Sequence, residues 1–230
     1  MKALPGITLL FFAAVGLLLT ACDKKHEVAF VDPFPVCSTN MAEFPARHRG
    51  VYTAVDSLRS LCIGRTAVWR QELQTQNWSL HQLDSLGYRL RADSTYLEDG
   101  TAHYLHRIGR DSVRDSWLWI DTVFNLTGLE AARLRRFQGR YYLSTRLMAQ
   151  TDTSVKWQVE RLAISGRHLV WQQLGTDTLR LGVLAPGTVR YHRRNATSYF
   201  RLAPASTAEA RRIGRYAGLW ETKEEYDRRH

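Results

Sequence analysis

The chain has 230 residues, 32 of them Lys or Arg against 22 Asp or Glu, for a formal charge of +10. A balance of this sign attracts anionic lipid headgroups, polyanionic glycans or nucleic acid. About 185 residues follow position 45, enough for one good core or two small ones, so one compact unit is expected in place of an array of domains.

The chain opens with Met1-Lys2 and then runs through 13 residues, 7–19, without a charge. That length lies inside the roughly 7–15 residues of an export signal and short of the roughly 20 that cross a bilayer. Residues 1–21 therefore read as a signal peptide. Leu19-Thr20-Ala21-Cys22 resembles the lipobox of bacterial lipoproteins. The resemblance implies cleavage before Cys22, a diacylglycerol on its thiol and acylation of the new amino group. The membrane would then be a partner through this lipid anchor, and the address would be the cell envelope, on the periplasmic side or the outer-membrane surface. Several acyl chains, at about 0.8 kcal/mol per buried CH₂, hold far better than one. The competing reading is an ordinary secretory signal in which Cys22 is incidental. Export also argues against nucleic acid as a partner. Removing residues 1–21 takes away only Lys2 among the charges, leaving 31 basic and 22 acidic residues and a formal +9. The densest basic clusters are Arg133, Arg135 and Arg136, and Arg190, Arg193 and Arg194; the other arginines are scattered as solubilising residues.

Residues 22–45 read as the lipidated cysteine and a tether, because Pro33, Pro35 and Pro45 stand in a stretch with little periodicity. An edge strand at 28–31 is the alternative, and it would pin the tether to the domain. Cys37 and Cys62 remain as an even pair in an oxidising compartment. A disulfide between them would close a loop of about 25 residues, worth roughly 3 kcal/mol. Two independent small thiols are the other reading, since Cys62 lies between Leu61 and Ile63 in a strand-like run.

Residues 46–205 read as a β-rich globular domain, with short β-branched, aromatic and aliphatic runs divided by Gly, Asp, Ser and Thr. Strands are predicted at 51–55, 58–63, 66–73, 88–91, 103–108, 117–126, 140–145, 156–164, 168–174, 178–184, 188–192 and 198–202. In 178–184, Leu179, Leu181 and Val183 share one parity, which implies one buried face. The 117–124 run is apolar on both parities, which predicts a central strand. Two stretches, 46–126 and 134–203, look alike. The first carries Gly50-Val51-Tyr52, Leu61-Cys62-Ile63 and Val68-Trp69; the second carries Gly139-Arg140-Tyr141, Leu162-Ala163-Ile164 and Val170-Trp171. The offset grows from 89 residues at the glycine to 102 at the tryptophan, as a duplicated meander with an extra hairpin near 148–153 would leave it. A short helix is predicted at 127–137. A C-terminal helix is predicted over 206–230, opened by the capping pair Ser206 and Glu209, with Ile213, Tyr216, Ala217 and Trp220 at helical spacing. Gly214 and Gly218 each cost about 1 kcal/mol there relative to Ala, so the helix needs docking. The expected fold is mainly β, with antiparallel meanders, two related β repeats forming a barrel or sandwich-like unit, and a short C-terminal helix.

Gly followed two residues later by Tyr, then successive strands, resembles lipocalin-type and other small β-barrel envelope proteins. Residues 121–126 and 134–143, within a stretch reaching about 174, are similar to uncharacterised β-rich lipoproteins of Bacteroidota; that likeness implies fold and address and no activity.

For chemistry, no GxSxG, phosphate-binding Gly-rich loop, HExxH or CxxC is present, so no catalytic residue, metal ligand or cofactor is assigned. His103 and His106, with His81, are the best metal candidates, but residues three apart on a strand face opposite ways. Glu72, Glu98, Asp99, Asp121, Glu130 and Glu160 show no pairing in sequence. Asp followed by a hydroxyl residue and an aliphatic recurs at 56, 84, 111, 121 and 177. This resembles the periplasmic O-glycosylation acceptor motif of Bacteroidota, and Asx-turn chemistry opening a strand explains the same pattern. The functional expectation is a non-catalytic binding or assembly module that engages an envelope protein or an apolar ligand. The alternatives are a lipocalin-like carrier of an apolar ligand, which requires an unfilled interior, and an enzyme acting on envelope glycans or lipids, which requires a cleft where two carboxylates, or a His and a carboxylate, meet.

Overall fold

The computed structural model describes residues 26–85, 95–128, 131–147, 156–175, 178–181, 184, 187–194 and 197–229. Cys22, the predicted strand at 88–91 and the extra hairpin at 148–153 lie outside them. The chain is mainly β, and its strands are antiparallel except for one parallel pair.

Two meanders build the centre. The first is β3 (Gly50–Ala54), β4 (Arg59–Ile63) and β5 (Ala67–Ser79), the last paired with β8 (Ser112–Asn125). The second is β9 (Ala132–Phe137), β10 (Arg140–Leu147), β11 (Lys156–Ser165) and β12 (His168–Leu174). Strand β15 (Trp220–Arg228) lies between β12 and β3 and joins them into one sheet. Turn chemistry helps to fix the hairpins: Gln138 and Gly139, between β9 and β10, both have positive φ, at 51° and 78°. That left-handed pair matches the twist of the strands it connects.

Proposed from sequence, the two repeats share their pairing through two strands. Tyr52 faces Leu61 across β3 and β4, and Tyr141 faces Leu162 across β10 and β11. In the third strands Ile63 pairs with Val68 and Ile164 with Leu169. The Val-Trp resemblance is thus out of step by one residue, and Trp171 takes the place of Arg70.

Both meanders contribute to one core, so the joined sheet curls around it; β8 and β9 do not pair with each other, β8 continuing to β7 (Thr101–Arg107) and β9 to the short β2 (Asn40–Met41). It is therefore an open curl and not a closed barrel. Inside it lies the first core, with Phe44, Tyr52, Leu61, Val68, Tyr141 and Leu162 all fully buried. Because successive side chains on a strand point to opposite faces, Tyr142 enters a second core on the outer side of β10 and β11, with Phe30, Phe34, Trp157, Ile213 and Trp220. That core is covered by a second layer, which makes the unit sandwich-like. The layer contains β1 (His26–Phe30), running parallel to β14 (Thr197–Leu202), which pairs with β13 (Val189–Arg194).

Several expectations change here. The tether predicted over 22–45 gives way to folded chain at His26: β1 overlaps the alternative strand at 28–31, but it lies between β14 and β11 and not at an edge. Phe30, Phe34 and Phe44 are apolar anchors that only burial can satisfy, and they are 0–1% exposed. Phe34 N–H donates to Ser144 Oγ at 3.1 Å, and the Arg135 guanidinium donates to Pro35 O at 2.9 Å. The helix predicted over 127–137 is strand β9 from Ala132, with Ala132 and Leu134 inward and arginines between them. Residues 178–181 form a helical turn, α2, following the earlier short helix α1 (Leu80–Ser85). Leu181 and Leu184, three apart, are buried together in the second core. The C-terminal helix is α3 (Thr207–Arg215), capped as expected by Ser206 Oγ accepting from Glu209 N–H at 3.2 Å. It ends there, and the remainder forms β15.

Gly214 has a packing reason: a Cβ on it would meet the Tyr142 hydroxyl at 2.9 Å. Arg161, buried on β11, donates to Gly214 O at 2.8 Å and to Gln172 Oε1 at 2.7 Å, and lies over the Trp220 ring at 4.4 Å. Its charge at the helix C-terminus complements the dipole, while burial pushes its pKa down to about 10.

Cys37 and Cys62 are separate free thiols. Cys37 is exposed in the turn after Pro35. Cys62 is buried on β4, where its thiol donates to Gln71 Oε1 at 3.3 Å and burial raises its pKa.

Candidate functional site

The open curl leaves a notch into its interior, with a volume of about 210 Å³, between β8 and the strands β10, β11, β12 and β15. Two backbone irregularities shape it. Between β12 and β15, Trp171 pairs with Glu224 and Gln172 with Thr222, so Lys223 is the extra residue of a bulge. Between β5 and β8, Val68 pairs with Phe124 and Trp69 with Thr122, which makes Val123 the extra residue. Bulges re-aim side chains, and both Lys223 and Val123 line the notch.

Its floor is polar. Glu160, buried on β11, accepts from Trp171 Nε1 at 2.9 Å and from Lys223 Nζ at 3.0 Å. The Lys223 ammonium also sits 3.9 Å from the centroid of the Trp171 ring, a cation–π contact that holds it in place. Asp121, Thr122, Thr145 and Gln158 complete the polar lining, beside the apolar Val123 and Leu143. Both Glu160 oxygens already accept hydrogen bonds, so the carboxylate is a fixed part of the floor and not a free acid or base. Glu160→Gln leaves the Lys223 ammonium without its counter-charge and is expected to cost about 2 kcal/mol. Urea unfolding measures it; an unchanged midpoint would contradict the ion pair.

Of the carboxylates named from sequence, Asp121 and Glu160 meet in this notch, and Glu98 and Asp99 lie together at the tip of a hairpin between β6 (Thr95–Glu98) and β7 (Thr101–Arg107). Glu72 stands on β5 opposite Trp119, and Glu130 lies outside the described residues. Lys223 carries no sequence signal, because a bulge in a charged strand leaves none.

The histidines divide as the strand argument expects: His103 is buried and His106 exposed, and no group of three or more metal-ligating residues forms among the described residues. His103 instead meets Asp115 on β8, with Nδ1 2.9 Å from Asp115 Oδ2. The Tyr96 hydroxyl donates to the same oxygen at 2.8 Å. Asp115 was missed in the sequence because its pairing depends on the β7–β8 register.

Among the recurrent Asp-hydroxyl-aliphatic sites, Asp56 Oδ1 accepts from Leu58 N–H at 3.1 Å. This is an Asx-turn. Asp121-Thr122-Val123 lies within β8 at the notch.

The chain matches no protein-family model, no curated protein and no solved structure.

Proposed function

We propose that the protein is a lipid-anchored lipoprotein of the cell envelope whose β-rich domain is a non-catalytic binding module, and that its ligand enters the notch at Glu160 and Lys223. The observation that carries the binding reading is the pair of bulges that bring Lys223 and Val123 to one opening, over a floor whose polar groups are already held in place. Preorganised polar groups in a concave site favour recognition of a small polar molecule. An apolar carrier is disfavoured, since aromatic and aliphatic side chains fill the interior and the remaining space, though bordered by Val123, Leu143 and Trp171, also presents the charged groups of Asp121, Glu160 and Lys223.

The anchor reading rests on Leu19-Thr20-Ala21-Cys22 after the 13-residue apolar run. Only Asp23, Lys24 and Lys25 separate Cys22 from the first residue of β1, so acyl chains on Cys22 would hold the domain close to the bilayer. His26, at that end of β1, pairs with Ser198, whose partner on β13 is Arg193. A basic hairpin end would thus lie beside the lipid, and each basic residue near an anionic surface contributes about 1 kcal/mol.

Membrane fractionation with intact mass tests the anchor. The wild-type protein is expected in the membrane fraction with the mass of an acylated chain beginning at Cys22, and Cys22→Ala in the soluble fraction or retaining residues 1–21. An unmodified amino terminus, or a Cys22→Ala protein equally firm in the membrane, would sink the reading.

A further inference from the structure

Strand β8 continues past the end of its neighbour β7 and leaves an open edge there. The β7–β8 ladder stops at His103 opposite Trp117. Between Leu118, Trp119 and Ile120 and the hairpin tip from Glu98 to Ala102 lies a groove of about 740 Å³. The apolar run predicted to be central is therefore at the surface: Leu118, Trp119 and Ile120 are 42%, 38% and 56% exposed.

Two hydrogen bonds fix which way the backbone of this edge points. Ser112 O accepts from Ile108 N–H at 3.1 Å, on the β7 side of β8, and Leu73 N–H donates to Leu58 O at 2.8 Å, away from its β8 partner Leu118. Alternate residues of a strand turn their backbone groups to the same side, so the even-numbered positions from Ser112 to Ile120 face β7. The carbonyls of Leu118 and Ile120 and the N–H of Ile120 consequently point into the groove, past the last β7–β8 pair. No strand among the described residues pairs with β8 on that side beyond Trp117. An edge with such groups is a template for a further strand.

The side chains along the edge divide by face, because directly paired residues share one. Leu73, Tyr104, Leu118 and Ile120 lie on one face, and all four are exposed. Trp119 lies on the other, with Glu72 and Glu98. The groove lining carries Glu98 and Asp99 and no Lys or Arg, in a chain of formal charge +10, and it stays negative when His103 bears a proton. Arg70, over the Trp119 ring at 5.0 Å, stands opposite Asp121 and two residues from Glu72.

We propose that an extended segment of a partner protein, alternating basic and apolar residues, adds to β8 at Leu118–Ile120 as a new antiparallel strand. Its apolar side chains lie beside Leu118, Ile120 and Tyr104, and its basic ones lie toward Trp119 and the acidic tip. Main-chain bonds give such a strand affinity, and its alternating side chains give specificity. A second copy of the edge fits less well, since residues 117–125 bring Asp121 as their one charge, which the acidic tip repels. The groove shares no lining residue with the notch and does not depend on the anchor.

The full chain purified in detergent is titrated by calorimetry with a blocked decapeptide of alternating Lys and Val. Saturable binding is expected. With Val beside Ile120, the valine N–H groups face β8 and the lysine N–H groups face away. N-methylation of the valines should weaken binding about tenfold, whereas N-methylation of the lysines leaves it nearly unchanged. A Glu-Val decapeptide should bind about tenfold more weakly. Ile120→Lys places a like charge at an exposed position and should also weaken binding about tenfold; Tyr191→Ala, at an exposed aromatic on β13, should leave it unchanged. No saturable binding, equal loss from either methylation, or equal binding of the Glu-Val peptide would overturn the proposal. So would a dimer in sedimentation that Ile120→Lys dissociates, because the edge would then belong to a second copy.

Discussion

A chain that stops at Gly218 is expected to lose its cooperative fold. Strand β15 is the element through which the two meanders share a sheet, since it pairs with β12 on one side and β3 on the other. It also reaches both cores. Leu219 and Trp220 are buried in the second, where the indole N–H donates to Ile213 O at 2.9 Å, and Tyr226 is buried in the first. Losing side chains of this size from a core costs about 3 kcal/mol each. Three such losses reach about 9 kcal/mol, within the range of a whole domain's stability. Circular dichroism and urea unfolding of the truncated chain should show no sharp transition. A cooperative transition with the slope of the full chain would mean that the meanders hold together without this strand.

Alkaline solution is expected to unfold the protein abruptly. Tyr52, Tyr141, Tyr142 and Tyr226 are 0–1% exposed, and burial raises the pKa of each above the ordinary value of 10. Tyr226 is raised further by Glu224, whose carboxylate accepts its hydroxyl hydrogen. In the unfolded chain these phenols ionise near 10, so the folded state holds more protons above that pH. Their contribution is fully present below 10 and is lost as pH rises, at up to about 1.4 kcal/mol per pH unit for each tyrosine. Arg161 and Arg135 work in the opposite direction, because burial holds the folded pKa of each, about 10 for Arg161, below that of a solvated guanidinium, but they are two groups against four. Phenolate absorbance from the buried four should rise together with the loss of far-ultraviolet ellipticity. Tyr226→Phe should move that midpoint to higher pH. Gradual ionisation of every tyrosine with ellipticity retained to about pH 12 would show that burial does not hold them.

Strands were legible where alternation was carried by large apolar residues. Tyr52, Leu61 and Val68, and Tyr141, Leu162 and Leu169, mark the central meanders, and their pairing follows from the pleat. Where only two side chains of a strand are buried, local composition misled. Residues 220–228 bury Trp220 and Tyr226 and are otherwise mostly charged, with three Glu, so the helical spacing of Trp220 with Ile213 suggested a longer helix. Residues 132–137 bury Ala132 and Leu134 between arginines, and position in the sheet overrode the helical reading. The 117–124 run was apolar on both parities for a different reason, since part of it faces solvent in a groove. Of the candidate sites, the carboxylates could be named but not paired. Lys223 depends on a bulge, and Asp115 meets His103 through a register that only the assembled hairpin defines.

The parallel partnership of β1 with β14 also orders events during synthesis. Residues 26–30 leave the ribosome early, yet their neighbour, 197–202, follows some 170 positions later. Until it arrives, Phe30 and Phe34 have no finished second layer to shelter them, and chaperones that bind emerging apolar segments would meet this stretch uncovered.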